Sequence, residues 1–185
     1  QTSADDAVSG PADDSTDAAG VPIRVALVDD QQLIRSGLAM LIGSQPDLEV
    51  VAEASTGREA VGSPAVARAD VVLMDVRMPQ MDGIEATQAL LAAPDAPRVV
   101  VLTTFDLDEY ALDAIQAGAS GFLLKDAPPE ELLAAIRTVH RGAAGIAPST
   151  TRRLLEHMAP RLQAQAAQDA HGAAERQAIE TLTPR

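Results

Sequence analysis

Three carboxylates, a hydroxyl and an ammonium each follow directly on a short apolar run in this chain. Ile23-Arg-Val-Ala-Leu-Val28 ends on Asp29 and Asp30, Val71-Val-Leu-Met74 on Asp75, Val99-Val-Val-Leu102 on Thr103, and Phe122-Leu-Leu124 on Lys125. Carboxylates gathered in one place suit a divalent cation, and a carboxylate can itself attack as a nucleophile. A lysine supplies a compact positive charge for phosphoryl oxygens. If these side chains converge, the chemistry they suit is metal-assisted handling of a phosphoryl group.

The elements that must bring them together are legible in the pattern. Short runs of Val, Ile and Leu separated by helical stretches read as buried parallel strands. In an open parallel sheet the ligand crevice lies beyond the carboxyl ends of the strands, where all five residues would stand. Five strand–helix units follow in order from Ile23. The first helix carries Ile34, Leu38, Leu41 and Ile42 on one face; a second, edge-like strand spans Leu48 to Ala52. The second helix, Gly57 to Arg68, contains Pro64, which must kink, shorten or restart it. A loop through Met78-Pro79 and Asp82-Gly83 leads into the third helix, and Gly118 stops the fourth. Glu130 to His140 forms the fifth, with Leu132, Leu133, Ile136 and Val139 at helical spacing. With right-handed crossovers, the expected fold is an α/β flavodoxin-like (βα)5 sandwich around a five-stranded parallel sheet of order 2-1-3-4-5. A helical linker follows it.

Composition narrows the functional classes. The chain has 185 residues, enough for one full core and further segments. Aromatics make up only 2%, so the core must be aliphatic, and the absence of cysteine rules out disulfides and thiolate metal sites. No apolar run approaches the ~20 residues of a membrane span, and no secretory leader is visible; a cytoplasmic protein with no membrane partner is expected. A net charge of −13 argues against nucleic-acid binding by these residues themselves. Residues 1–20, with Asp5, Asp6, Asp13, Asp14 and Asp17, read as a disordered acidic tail. The main domain is expected over 21–142, a helical or flexible linker over 143–179, and a further segment over 180–185.

Asp29-Asp30, Asp75, Thr103 and Lys125, with Met78-Pro79 and Asp82-Gly83, closely resemble the receiver domain of two-component response regulators, over about Val21 to Arg141. The phrases LTTFDLDEY and AGASGFLLKD resemble the NarL/FixJ (LuxR-type) subfamily, and the final LTPR resembles the start of its helix-turn-helix domain. The resemblance implies Asp75 as phosphoacceptor for a sensor histidine kinase, with no other enzymatic activity than self-phosphorylation and slow autodephosphorylation. It implies Mg2+ held by Asp30, Asp75 and the backbone carbonyl of Arg77, with Asp29 acting through water. Thr103 and Lys125 would contact the phosphoryl group, and Phe122 would move inward as an aromatic switch when Thr103 is drawn to phosphate. It also implies a homodimer on activation, through the outer faces of the first and fifth helices or the face beside the fifth strand. DNA would be bound only through a C-terminal domain that begins at 180–185.

Plainer readings stand beside these. Asp29-Asp30 can cap a helix, Lys125 can be a solvated strand end, and Phe122 a core aromatic. Arg35, Arg77, His140, His157 and His171 read as surface residues, with Arg77 also placed to tune phosphate lifetime. A haloacid-dehalogenase-like phosphohydrolase would need a second Asp where Arg77 stands, and a flavin carrier a hydroxyl- and Gly-rich loop where Asp29-Asp-Gln-Gln32 stands. A receiver answering to a ligand or partner without phosphate is the nearest rival.

Overall fold

Parity along each strand decides which apolar side chain covers which face of the sheet. In the computed structural model, which describes residues 20–104 and 107–156 with 159–160, 163–164 and 166–167, that rule builds two cores. The elements run β1 (Ile23–Val28), α1 (Gln32–Gly43), β2 (Leu48–Ala54), α2 (Gly57–Gly62), α3 (Pro64–Ala67), β3 (Val71–Asp75) and α4 (Gly83–Leu91). They continue β4 (Arg98–Thr103), α5 (Leu107–Gln116), β5 (Gly121–Leu124), α6 (Pro129–His140) and β6 (Gly145–Ile146). Val25, Leu27, Leu73, Val100 and Leu123 meet Ile42 of α1 and Ile136 of α6 on one face. Ala26, Val28, Met74, Val101 and Phe122 meet Ala60, Val66, Ala86 and Ala114 on the other. Three layers result, helices on both faces of the sheet. Ile136 is fully buried, so Ile136→Ala is expected to cost about 2–5 kcal/mol, read from the denaturant midpoint.

The sheet order is β2-β1-β3-β4-β5-β6, and every neighbouring pair is parallel. The expected order 2-1-3-4-5 is present, but the sheet has six strands rather than five. The sixth is only Gly145–Ile146, too short to register as an apolar run, and it lies past residue 142, where the main domain was expected to end. Two glycines admit it. A Cβ on Gly121 would lie 2.7 Å from the carbonyl oxygen of Gly145, and one on Gly145 would lie 2.5 Å from Val139 Cγ2. Helix follows over 148–156.

Pro64 acts by restarting the helix, as the first residue of α3 behind the Ser63 cap. Among the described residues no helix is long and apolar enough to cross a membrane. The expected acidic tail up to residue 19, most of the expected linker beyond 156 and all of 180–185 lie outside the described residues.

Candidate functional site

The carboxyl ends of β1, β3, β4 and β5 open on one crevice. Ligand oxygens from Asp29, Asp30 and Asp75 lie within 4.8 Å of one another; Asp29 and Asp75 are buried and Asp30 is exposed. Lys125 Nζ stands between the two buried acids, 2.6 Å from Asp29 Oδ2 and 3.1 Å from Asp75 Oδ2. Backbone geometry fixes both carboxylates: Gln31 N–H donates to Asp29 Oδ1 at 2.8 Å and Arg77 N–H donates to Asp75 Oδ1 at 3.3 Å. Thr103, one strand over, is buried with a hydroxyl that has no hydrogen-bond partner among the described residues. Its carbonyl accepts the Lys125 N–H at 2.7 Å. The structure thus gathers Asp29, Asp30, Asp75 and Lys125 and seats Thr103 on the neighbouring strand.

Three acids around one ammonium leave an excess of negative charge. Burial, then the neighbouring Asp29 charge, pushes the Asp75 carboxyl up to about 6, against the pull of Lys125 and the Arg77 N–H. Burial works against the Lys125 ammonium, but its bonds to Asp29 and Asp75 more than offset that and raise its pKa. A charge-frustrated carboxylate cluster with two of its three members buried is what a hard divalent cation relieves. The oxygen-only donor set of Asp29, Asp30 and Asp75 therefore fits magnesium.

The loop after β3 sets the position of Asp75. Met81 N–H donates to the Pro79 carbonyl at 2.9 Å around Gln80, whose φ of 70° is the only positive value at a non-glycine among the described residues. Such a tight turn is strained for a residue with a Cβ. Asp82 then caps α4 in a reciprocal box with Glu85. Gly83 lies against the strand end: a Cβ there would sit 1.9 Å from the Asp75 carbonyl oxygen. Gly83→Ala is accordingly expected to destabilise the fold by about 1–3 kcal/mol through overpacking. Because the clash is with Asp75 backbone, the same variant should also lose modification at Asp75; equilibrium unfolding and intact mass read the two effects separately.

Arg35 departs from its expected place in solvent. Its side chain is only 14% exposed and Nε pairs with Glu53 at 3.4 Å, while Nη1 donates to the Asp29 carbonyl at 2.6 Å. It therefore braces the loop that carries the acidic pair. The sequence carried a weak signal for this, since Arg35 falls one helical turn after Gln31, beside Asp29. Arg77 is exposed, with its guanidinium 5.6 Å from the ring centre of Tyr110. Tyr110, the only tyrosine in the chain, was not singled out by sequence, yet it borders the crevice with Asp30, Arg77 and Asp82. Phe122 is 3% exposed and packs in the core beside Val101 and Ala114, so it already lies inside in this conformation. His140 is exposed, and His157 and His171 lie outside the described residues.

A family model described as the response regulator receiver domain matches residues 25–137. The uncharacterized transcriptional regulatory protein YxjL of Bacillus subtilis is 48% identical over 122 residues, covering 66% of this chain and 56% of that protein. The DNA-binding transcriptional activator DevR/DosR of Mycobacterium tuberculosis is 43% identical over 120 residues, covering 65% and 55%. A solved two-component response regulator of the LuxR family from Aurantimonas sp. SI85-9A1 is 34% identical, with a TM-score of 0.68 over 75% of this chain and 99% of that one. The receiver domain of the putative response regulator NarL from Mycobacterium tuberculosis is 33% identical, with a TM-score of 0.62 over 66% and 99%. This chain spans a little over half the length of the curated relatives it matches.

Proposed function

The chain belongs to the response regulator receiver domain family, and from that premise we propose that Asp75 is its phosphoacceptor in a two-component system. The observation that carries this reading is the convergence of Asp29, Asp30 and Asp75 within 4.8 Å, with the Lys125 ammonium against Asp29 and Asp75. In the proposed reaction an Asp75 carboxylate oxygen attacks the phosphorus of a phosphohistidine on a sensor kinase. The bond from phosphorus to the donor nitrogen breaks, and the electron pair stays on the imidazole. Transfer of this kind needs positioning and charge neutralisation more than covalent help. Lys125 already touches Asp75 and can follow the charge onto a phosphoryl oxygen. The Thr103 hydroxyl, without a partner among the described residues, can donate to another. Asp30, Asp75 and the Arg77 carbonyl, with Asp29 through water, are the groups we assign to magnesium, which when bound would neutralise the acids and the phosphoryl oxygens.

Relatives named as transcriptional regulators support a transcriptional output, with DNA bound by a further domain and a homodimer formed on activation. A cleft of 330 Å³ between α1 and α6, lined by Leu33, Leu38, Leu41, Pro129 and Leu132, is apolar enough to serve association on that face.

The test is to incubate the chain with acetyl phosphate and magnesium and map the modified residue by mass spectrometry. One phosphoryl group on Asp75 is expected; modification elsewhere, or none, overturns the reading. Asp30→Ala should weaken magnesium binding at least about tenfold, since the site keeps few protein ligands, and unchanged affinity by titration removes Asp30 from the ligand set.

A further inference from the structure

The residues just past α6 do not leave the domain; they lie down across the open edge of β5. Gly145 and Ile146 pair in parallel with Gly121 and Phe122, and Gly145 N–H donates to the Ser120 carbonyl at 3.0 Å. Ala147 is buried in the α1–α6 core, and Leu154 packs against the opposite one. Ser149 bonds the Glu131 carboxylate, and Arg153 pairs with Asp126 at 2.9 Å.

Thr150 is the tie between this segment and the site. It is fully buried, and its Oγ1 accepts the Leu124 N–H at 3.3 Å. An edge-strand N–H buried away from water needs such a partner. Leu124 is the last residue of β5, and the next residue is Lys125, whose own N–H is tied to Thr103 and whose ammonium holds Asp29 and Asp75. One backbone corner is thus pulled from the site on one side and from Thr150 on the other.

We propose that residues 145–156 form a strap latched to the site through Thr150, and that phosphoryl loading at Asp75 releases it. The proposal rests on the phosphoacceptor reading above. The Thr150 bond, at 3.3 Å, is already long for an N–H···O bond, and a shift of the Leu124–Lys125 corner acts on it directly. The two side chains of the Arg153–Asp126 pair are 41% and 46% exposed, and such pairs hold little in water. Few apolar side chains of the strap are buried, so a small displacement at Lys125 is enough to shift its equilibrium. The strap leads on to the remaining chain, and its release would change how anything beyond residue 156 is held.

Hydrogen exchange of the whole chain tests this, with and without magnesium and beryllofluoride, fluorine NMR reporting whether the fluoride is bound. Bound fluoride should speed exchange over 145–156 at least about fivefold, the lower range of allosteric coupling. Thr150→Val should exchange fast already and gain nothing from the fluoride, while Thr150→Ser restores the response. By reciprocity Thr150→Val should also bind beryllofluoride more tightly by the same factor. Bound fluoride with unchanged or slower exchange over 145–156 overturns the strap. If no fluoride binds, the phosphoacceptor reading fails instead. Lys125→Met, checked for folding by its thermal transition, then decides the latch: faster exchange over 145–156 supports it, and unchanged exchange overturns it.

Discussion

Asp75→Asn is expected to lower phosphoryl incorporation from acetyl phosphate and magnesium by at least about a hundredfold, as loss of an essential nucleophile does. The amide keeps the shape of the carboxylate but has no anionic oxygen to attack phosphorus. It also leaves Lys125 with its 2.6 Å contact to Asp29, so the crevice should not collapse. Intact-mass spectrometry after a fixed incubation reads the loss directly. Incorporation in Asp75→Asn at the wild-type level would place the acceptor elsewhere. Steady release of inorganic phosphate by the wild type, without a persisting adduct, would move the chain towards the phosphohydrolase class despite Arg77. A wild type that never accepts phosphate yet changes state with a partner would support the phosphate-independent receiver.

The sequence is informative about the site because a parallel sheet buried on both faces writes each strand as an unbroken apolar run. Where such a run stops, the next polar residue must lie at a strand end, and strand ends share an edge. That logic places Asp29, Asp75, Thr103 and Lys125 without knowledge of any distance. It says nothing about Arg35, because bracing depends on where one flexible side chain turns. Its partners, the Asp29 carbonyl and Glu53, belong to two different strand–loop segments. It is equally silent on β6, where the signal is an absence of side chain: Gly121 and Gly145 let two backbones approach, and no periodicity marks a two-residue strand. The identity of Phe122 as a buried aromatic could be read from its run, whereas a switching movement could not. A switch needs two conformations, and one apolar run encodes only the face it covers.

The frustrated charge around Asp75 should lower the stability of the metal-free protein. The Asp75 carboxyl titrates near 3.8 unfolded and is pushed up to about 6 in the fold, first by burial and then by Asp29. Well below pH 3.8 both states hold the proton and the group costs nothing. Between pH 4 and 6 the unfolded chain gives it up while the folded one keeps it, so stability falls as pH rises. Above pH 6 the loss levels off at about 3 kcal/mol, roughly two pKa units at 1.36 kcal/mol each. Asp47, lowered by its bond to Arg137, and Glu59, lowered by the Ser55 N–H, act in the opposite sense. Their contributions, and that of Asp70 beside Arg24, are complete above their ordinary values of 3.8 to 4.5 and are lost as pH falls from there, so only the lowest part of this window is affected. Lys125 stays charged throughout it and contributes a constant term. Asp75→Asn removes the titration but also one partner of Lys125, so a net gain of about 1–3 kcal/mol at pH 7 is expected. That is roughly 3–10 °C in melting temperature for a domain of this size. The gain should vanish at pH 4, where wild-type Asp75 is protonated. Magnesium should narrow the gap from the other side, stabilising wild type by about 2.7 kcal/mol at a hundred times its dissociation constant and Asp75→Asn by less. Calorimetric melts of both proteins in chelator and in magnesium, from pH 4 to 8, measure all three effects. A wild type more stable than Asp75→Asn at pH 7 without metal would mean that Lys125 fully compensates the buried acids. The excess negative charge assigned to the crevice would then not exist.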